Sequence, residues 1–342
     1  MVQAYGADTD NGSAEQPGAR GSRFRGLWDR LRNDPGYWRR GILLALCSVL
    51  LTLLMVVHAQ IPNRLGNLGS LIETFLPWVA LFIPVLLVLG LLRRSATALI
   101  ALLLPAVVWL NVFGGLLTDK SGGGGGDLTV ATHNVNAGNP DPEGTAQQVA
   151  GSGADVVALQ ELPGRQVSTY EKSLAGRYPY HSVQGTVGLW SKYPLADTKP
   201  VDIKMGWTRA MRSTVKTPQG EVAVYVAHLP SVRVKLHAGF TANQRDDSAD
   251  ALGEAIADER VERVVLLGDL NGTMNDRSLN AVTAQMRSTQ GAAGDGFGFS
   301  WPASFPMARI DQIMVKGVEP MASWTLAATD SDHLPIAARV EL

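Results

Sequence analysis

The stretch Val264-Val265-Leu266-Leu267-Gly268-Asp269-Leu270-Asn271-Gly272 decides how the second half of this chain folds. The apolar run reads as a strand, and it stops at a glycine. Asp269 and Asn271 follow at spacing i, i+2, which points both polar heads to one side. Such a pair faces a shared cavity or makes an Asp/Asn/Gly turn.

Outward from this stretch the same pattern repeats. Leu128–Ala131, Val156–Leu159, Val187–Trp190, Arg212–Val215 and Val222–Ala227 read as strands, as do Ile310–Val315, Trp324–Ala328 and Leu334–Val340. Gly144–Ala150, Arg165–Leu174 and Thr241–Ala257 read as helices. Thr217-Pro218-Gln219-Gly220 is a short turn between strands. Residues 127–342 therefore form one α/β domain, with two packed sheets and helices outside them.

Several strands end on polar residues. Asn134 follows LTVATH, and its amide oxygen can reach a metal or a phosphate, or it starts a turn. Glu161 ends ADVVALQE; a carboxylate there suits a hard cation such as Mg²⁺, or is the first exposed residue after a strand. His228 ends EVAVYVAH, where an imidazole can donate to phosphate, shuttle a proton or satisfy a strand end. Asp311 sits among apolar neighbours in RIDQI, where an unpaired carboxylate is costly, so it invites a histidine partner. Ser331-Asp332-His333-Leu334-Pro335 offers a carboxylate and an imidazole before the last strand, or is a polar turn.

The first half is of another kind. Of the 342 residues, 46% are hydrophobic and the net charge is −1, but these averages hide a split. Residues 1–120 hold eleven Lys and Arg against seven Asp and Glu; residues 121–342 hold nineteen against twenty-four. Gly41–His58, Phe75–Leu92 and Ser95–Leu117 are apolar runs without Lys, Arg, Asp or Glu. Each approaches the roughly 20 residues that cross a bilayer, which predicts three transmembrane helices over 41–117. Residues 1–40 form a basic tail, in which Ser22–Arg32 spaces Phe24, Leu27, Trp28 and Leu31 as an interfacial helix would. Six arginines fall between residues 22 and 40, one (Arg64) lies between the first two runs, and Arg93-Arg94 joins the second to the third. By the positive-inside rule the N-terminus is cytoplasmic and everything after Leu117 is extracellular. Tyr37, Trp38 and Trp78 fall at run ends, as interfacial aromatics do. Residues 118–126, with Gly122–Gly126, read as a flexible linker spanning roughly 15 Å.

Composition excludes a plain cytosolic enzyme, a disordered chain and a repeat solenoid. The single cysteine, Cys47, excludes a disulfide framework and a Cys-based zinc site. The acidity of the second half disfavours broad nucleic-acid binding, although Arg209, Arg212, Arg233 and Lys235 could line a local groove.

Taken together, THNVN (132–136), LQE (159–161), GLWSKYPL (188–195), AHLP (227–230), GDLNGT (268–273), RIDQI (309–313) and SDHLP (331–335) resemble the endonuclease/exonuclease/phosphatase (DNase I-like) superfamily. The resemblance covers nearly all of 127–342. It implies a four-layer sandwich of two mixed β-sheets flanked by helices, and metal-dependent phosphoester hydrolysis. It makes Glu161 the main ligand of Mg²⁺ (or Mn²⁺), with Asn134 and Asp332 nearby. It places His228, Asp269, Asn271 and His333 around the phosphate and has Asp311 orient His333. Either Asp269 or Asp332 serves as general base. His133 stands where Tyr or Trp is usual, and Ala227 where Thr is usual. The whole-chain architecture also resembles bacterial membrane-anchored phosphoesterases of the teicoplanin-resistance type, which implies a lipid or lipid-linked phosphate substrate at the membrane. The alternatives are a membrane-tethered nuclease and a non-catalytic binding module. One or two metals, and any oligomeric state, fit this reading.

Overall fold

The computed structural model describes residue 36 and residues 39–63, 67–122, 124–231 and 239–342. The proposed interfacial helix, Tyr37, Trp38, Arg233 and Lys235 lie outside the described residues. One six-stranded sheet comprises β1 (Leu128–Asn134), β2 (Val156–Gln160), β3 (Tyr180–Gln184), β4 (Val187–Ser191), β11 (Glu319–Thr325) and β12 (Ile336–Glu341), in the order β11-β12-β1-β2-β4-β3. The other comprises β5 (Leu195–Pro200), β6 (Ala210–Thr217), β7 (Gly220–His228), β8 (Val264–Asp269), β9 (Arg287–Ser288) and β10 (Asp311–Lys316), in the order β5-β6-β7-β8-β10-β9.

The sheets pack face to face through fully buried side chains including Val130, Leu189, Val224, Leu267 and Ile313. Burying one such side chain contributes about 1.5–3 kcal/mol. Helices Pro142–Gly151 and Val167–Leu174 cover the outer face of the first sheet, with Val149, Tyr170 and Leu174 buried against it. Helix Gly239–Ala257 covers the second through Leu252 and Ile256. The strands β3, β5 and β9 carry no clear apolar alternation in sequence. All three are sheet edges; β3 and β5 have mostly exposed or half-exposed side chains, and β9 is only two residues long.

The pairing gathers one end of every central strand. Parallel pairs β1–β2 and β7–β8 bring their C-terminal ends together. The antiparallel neighbour β10 delivers its first residue to the same edge, so His228, Asp269 and Asp311 stand abreast in register.

Two helical stretches, Ile42–Gln60 and Ala96–Leu116, are long and apolar enough to cross a membrane. The expected middle run, Phe75–Leu92, is helical over Leu76–Leu92; at its start a 68° bend separates it from Leu68–Thr74, and the two reach membrane-crossing length only when counted together. Pro77 lies just past the bend and has no N–H for helical pairing. Leu43, Phe82, Leu92, Leu103 and Val107 expose their apolar side chains. The basic ends meet, with Arg93 Nη1 donating to Arg40 O at 3.3 Å.

The β-domain also makes contacts with the other end of these helices. Trp78 Nε1 donates to Met307 O at 2.7 Å and its ring stacks on Phe299, so this tryptophan anchors the domain. Arg277 donates to Ala59 O, and Thr273 to Glu73 O. The linker is itself held: Lys120 N donates to Gly294 O and Gly122 N to Met321 O.

Gly268 has φ +155°, and a Cβ there would lie 1.9 Å from Ala227 O. Gly268→Ala is expected to cost about 3 kcal/mol. Thermal denaturation should show this as a fall of roughly 6–12 °C in Tm. Gly164→Ala, where a Cβ meets open space, should leave Tm unchanged.

Candidate active site

At the gathered strand ends a cavity of about 500 Å³ opens, lined among others by Glu161, Arg209, His228, Asp269, Asn271, Asp332 and His333. Asn134 and Asp311 stand immediately behind it.

Asp269 is the centre. Its Oδ1 accepts the backbone N–H of Asn271 at 2.9 Å. Its Oδ2 accepts the side-chain amides of Asn134 at 3.0 Å and Asn271 at 3.2 Å. Burial, then the charge of Asp311, pushes its pKa up to about 7. Asn271 lines the cavity and gives its amide to Asp269 and to Leu229 O, so it aims the carboxylate.

Asn134 was expected to offer a metal its oxygen. Here that oxygen accepts the Asn136 N–H at 3.0 Å, which turns the NH₂ toward Glu161 Oε1 (3.1 Å) and Asp269 Oδ2 (3.0 Å). Asn134 thus holds two carboxylates side by side. Glu161 sits at φ +58°, a left-handed conformation that costs a non-glycine residue of order 1–3 kcal/mol. Its Oε2 accepts the Ala137 N–H at 3.1 Å, and its side chain remains about one-third exposed. Asp332 is exposed and accepts Asn136 Nδ2 at 3.0 Å.

The two histidines differ. His333 Nδ1 lies 2.8 Å from Asp311 Oδ2, which also accepts Ser300 Oγ at 2.6 Å. Burial disfavours the charged ring, but Asp311 outweighs it and lifts the His333 pKa to about 10. His228 Nε2 lies 3.6 Å from both Glu161 Oε1 and Asp269 Oδ2. Burial, Arg209 and His333 hold its pKa well below the ordinary value, so its ring is neutral. His133 is fully buried beside Thr329 Oγ1 at 2.9 Å, with a pKa lowered to about 3 by burial.

Sequence reasoning missed Asn136, Ser300 and the wall formed by Leu71, Thr74 and Phe75. The positive φ of Asn136 (60°) and its place in THNVN were the available signal. The wall residues belong to the bend between two helices and carry no chemical signature. Of the basic residues considered for a groove, Arg209 lines the cavity. Arg212 does not: Glu259 pins it with contacts of 2.8 and 3.0 Å away from the site.

Among the described residues Asp269, Asp311 and His333 offer atoms within 4.8 Å of one another, but Asp311 and His333 are already joined to each other. Glu161 and Asp332 line the same cavity and carry carboxylate oxygens of the kind hard divalent cations take. Among the described residues, four carboxylates in and behind this cavity face two cations, His333 and Arg209, so a divalent ion fits the charge of the site as well as its donors.

A sequence profile described as Endonuclease/Exonuclease/phosphatase family matches residues 131–333. The chain belongs to this family. Its members are phosphoesterases and nucleases, so the protein is a hydrolase of that class; such enzymes are generally dependent on a divalent metal. Among solved structures, the Bacteroides thetaiotaomicron mannosyl-6-phosphatase shares 17% identity over 63% of this chain and 100% of its own, with a TM-score of 0.52. D. rerio TDP2 complexed with single-strand DNA product shares 18% identity over 63% and 99%, with a TM-score of 0.53. Staphylococcus aureus beta toxin shares 15% over 62% and 99%, with a TM-score of 0.50. At these identities the likeness is one of fold. No curated protein matches the chain.

The Asp311–His333 pair predicts a pH profile. A raised pKa keeps the His333 proton until pH passes about 10, and the pair's stabilising contribution is lost through that same window. In Asp311→Asn the alkaline limb of kcat/KM should move down toward the ordinary histidine range near 6.5. At pH 8, kcat should fall about 10²–10⁴-fold. An unchanged alkaline limb would remove the role given to Asp311.

Proposed function

We propose that this protein is a membrane-anchored, externally facing, Mg²⁺-dependent phosphoesterase. Its substrate is a phosphoester or pyrophosphate of a lipid or lipid-linked molecule, of which an undecaprenyl carrier of the cell wall is one example. The observation that carries this reading is the cavity wall: Leu71, Thr74 and Phe75, from the bend between two apolar helices, line the same cavity as Glu161, His228 and Asp269. A phosphate bound there lies against the segment that enters the membrane. The meeting of Arg40 with Arg93 at the far end supports a cytoplasmic position for that end and an extracellular one for the domain.

Glu161 and Asp332 are the residues that would hold Mg²⁺ or Mn²⁺, and Asn134 sets the spacing of Glu161 from Asp269. When bound, the ion supplies charge neutralisation at the phosphoryl oxygens. Asp269, dry and aimed by two asparagines, accepts the proton of the attacking water. Asp332 is more exposed and less suited to that task. His333 keeps its proton through neutral pH and donates to the charge developing on the phosphoryl group. His228, neutral, donates its ring N–H from the opposite wall. Among the described residues the cations lining this cavity are Arg209 and His333, a small positive charge for a polyanion, and this supports the lipid reading over the nuclease alternative.

The test is a substrate panel with the full chain in detergent, with and without Mg²⁺: undecaprenyl phosphates, phospholipids, single- and double-stranded DNA, and soluble sugar phosphates. A lipid phosphate is expected to be turned over fastest. EDTA should abolish this, and Glu161→Gln should lower it about 10²–10⁴-fold. DNA preferred over every lipid would replace this reading with the nuclease.

A further inference from the structure

Beside the catalytic cavity, where the helices meet the domain, lies a second cavity of about 270 Å³. Only Thr74 lines both. Its helix side is apolar, built from Pro77, Val112, Phe113 and Leu116. Phe297 and Phe299 continue this surface on the domain, stacked on each other, with Phe299 stacked on Trp78 and Phe297 tilted against Trp109.

Its other side is polar and cationic. Lys120 and Arg309 line it, and none of the lining residues is Asp or Glu. Arg309 is buried; its Nη1 donates to Gly298 O at 2.7 Å, while its Nε has no partner. The Oε1 atoms of Gln290 and Gln312 are buried and unpaired as well. Their Nε2 groups are spent on backbone carbonyls: Asp295 and Gly296 for Gln290, Gly272 and Arg309 for Gln312. These three atoms lie occluded in the cavity wall, so the cations Lys120 and Arg309 give its polar side its charge.

We infer that this cavity binds one anionic membrane lipid. The phosphate sits on the side lined by Lys120 and Arg309, and the apolar helix side takes the start of the chains. The chains leave past Val112 and Leu116, half-exposed positions on the last apolar helical stretch and its end. A zwitterionic lipid brings a second cation to a place that already has two, and a free phosphate leaves the apolar wall bare. The inference rests on the membrane placement proposed above and is independent of which substrate the catalytic cavity takes.

Native mass spectrometry of the full chain in neutral detergent tests it, with phosphatidylglycerol, phosphatidylcholine or glycerol phosphate added. The protein is expected to retain one phosphatidylglycerol, at least tenfold over phosphatidylcholine, and glycerol phosphate should not displace it. Arg309→Gln and Lys120→Ala should each lower retention about tenfold. Lys120 is partly exposed, so its variant should fold even if the other does not. Glu161→Gln, in the catalytic cavity, should retain the lipid as the parent does. Equal retention of both lipids, or no retained lipid, would overturn the inference. So would loss in Glu161→Gln with retention in Lys120→Ala, which would place the lipid in the catalytic cavity. Failure of the substrate panel alone would leave this result standing.

Discussion

Crowded negative charge in a dry place is the constraint on which this structure turns. Strand pairing sets Asp269 opposite Asp311 and beside His228, and brings Glu161 to the same edge from the other sheet. Carboxylates so placed repel one another and lose water. The surrounding residues answer this in three ways. Asn134 gives one proton each to Glu161 and Asp269, Asp311 keeps a proton on His333, and the backbone at Asn271 and Ala137 supplies N–H donors. What is left is a cavity still short of positive charge, suited to a divalent cation and to the charge that moves during phosphoryl transfer.

The second dependence runs toward the helices. The loop that follows Asp269 is also the surface on which the bent helical segment rests. Arg245 joins them: its Nη1 donates to Asn271 O at 2.7 Å and its Nη2 to Ser70, Asp276 and Ser278 at 2.6–2.8 Å. The buried Arg245–Asp276 pair is costly to break from one side, since the partner is left charged and unpaired. The bend between the helices is therefore part of the enzyme's wall, and the catalytic domain is built to work while docked on it.

Much of this was legible in sequence, for definable reasons. Central strands such as Val264–Asp269 are buried throughout, so their apolar runs stand out. The residues that end them, Glu161, His228 and Asp269, are polar groups with no solvent reason to be there. Asp311 was readable as a carboxylate needing a histidine because its neighbours are apolar, and His333 is the histidine the structure puts beside it. Edge strands such as β3 and β5 were not legible, because half-exposed strands need no apolar alternation. Nor was the direction of the Asn134 amide, which is set by the Asn136 N–H and by no composition rule. The glycine run reads as a linker and says nothing of the contacts between domain and helices. Docking depends on scattered residues, Trp78, Thr273 and Arg277, whose partners are hundreds of positions away.

The central claim is that the helix bend forms an outward-facing wall of a phosphate site. Cysteine labelling tests it most directly, since Cys47 is the sole cysteine and Cys47→Ser clears the background. Phe75→Cys in that background would be exposed, in intact cells, to a membrane-impermeant maleimide, with and without Mg²⁺ and a short-chain non-hydrolysable lipid phosphonate. The account predicts labelling from outside that the phosphonate with Mg²⁺ slows at least severalfold. Labelling only after the cells are permeabilised, or labelling that the phosphonate leaves unchanged, would contradict it.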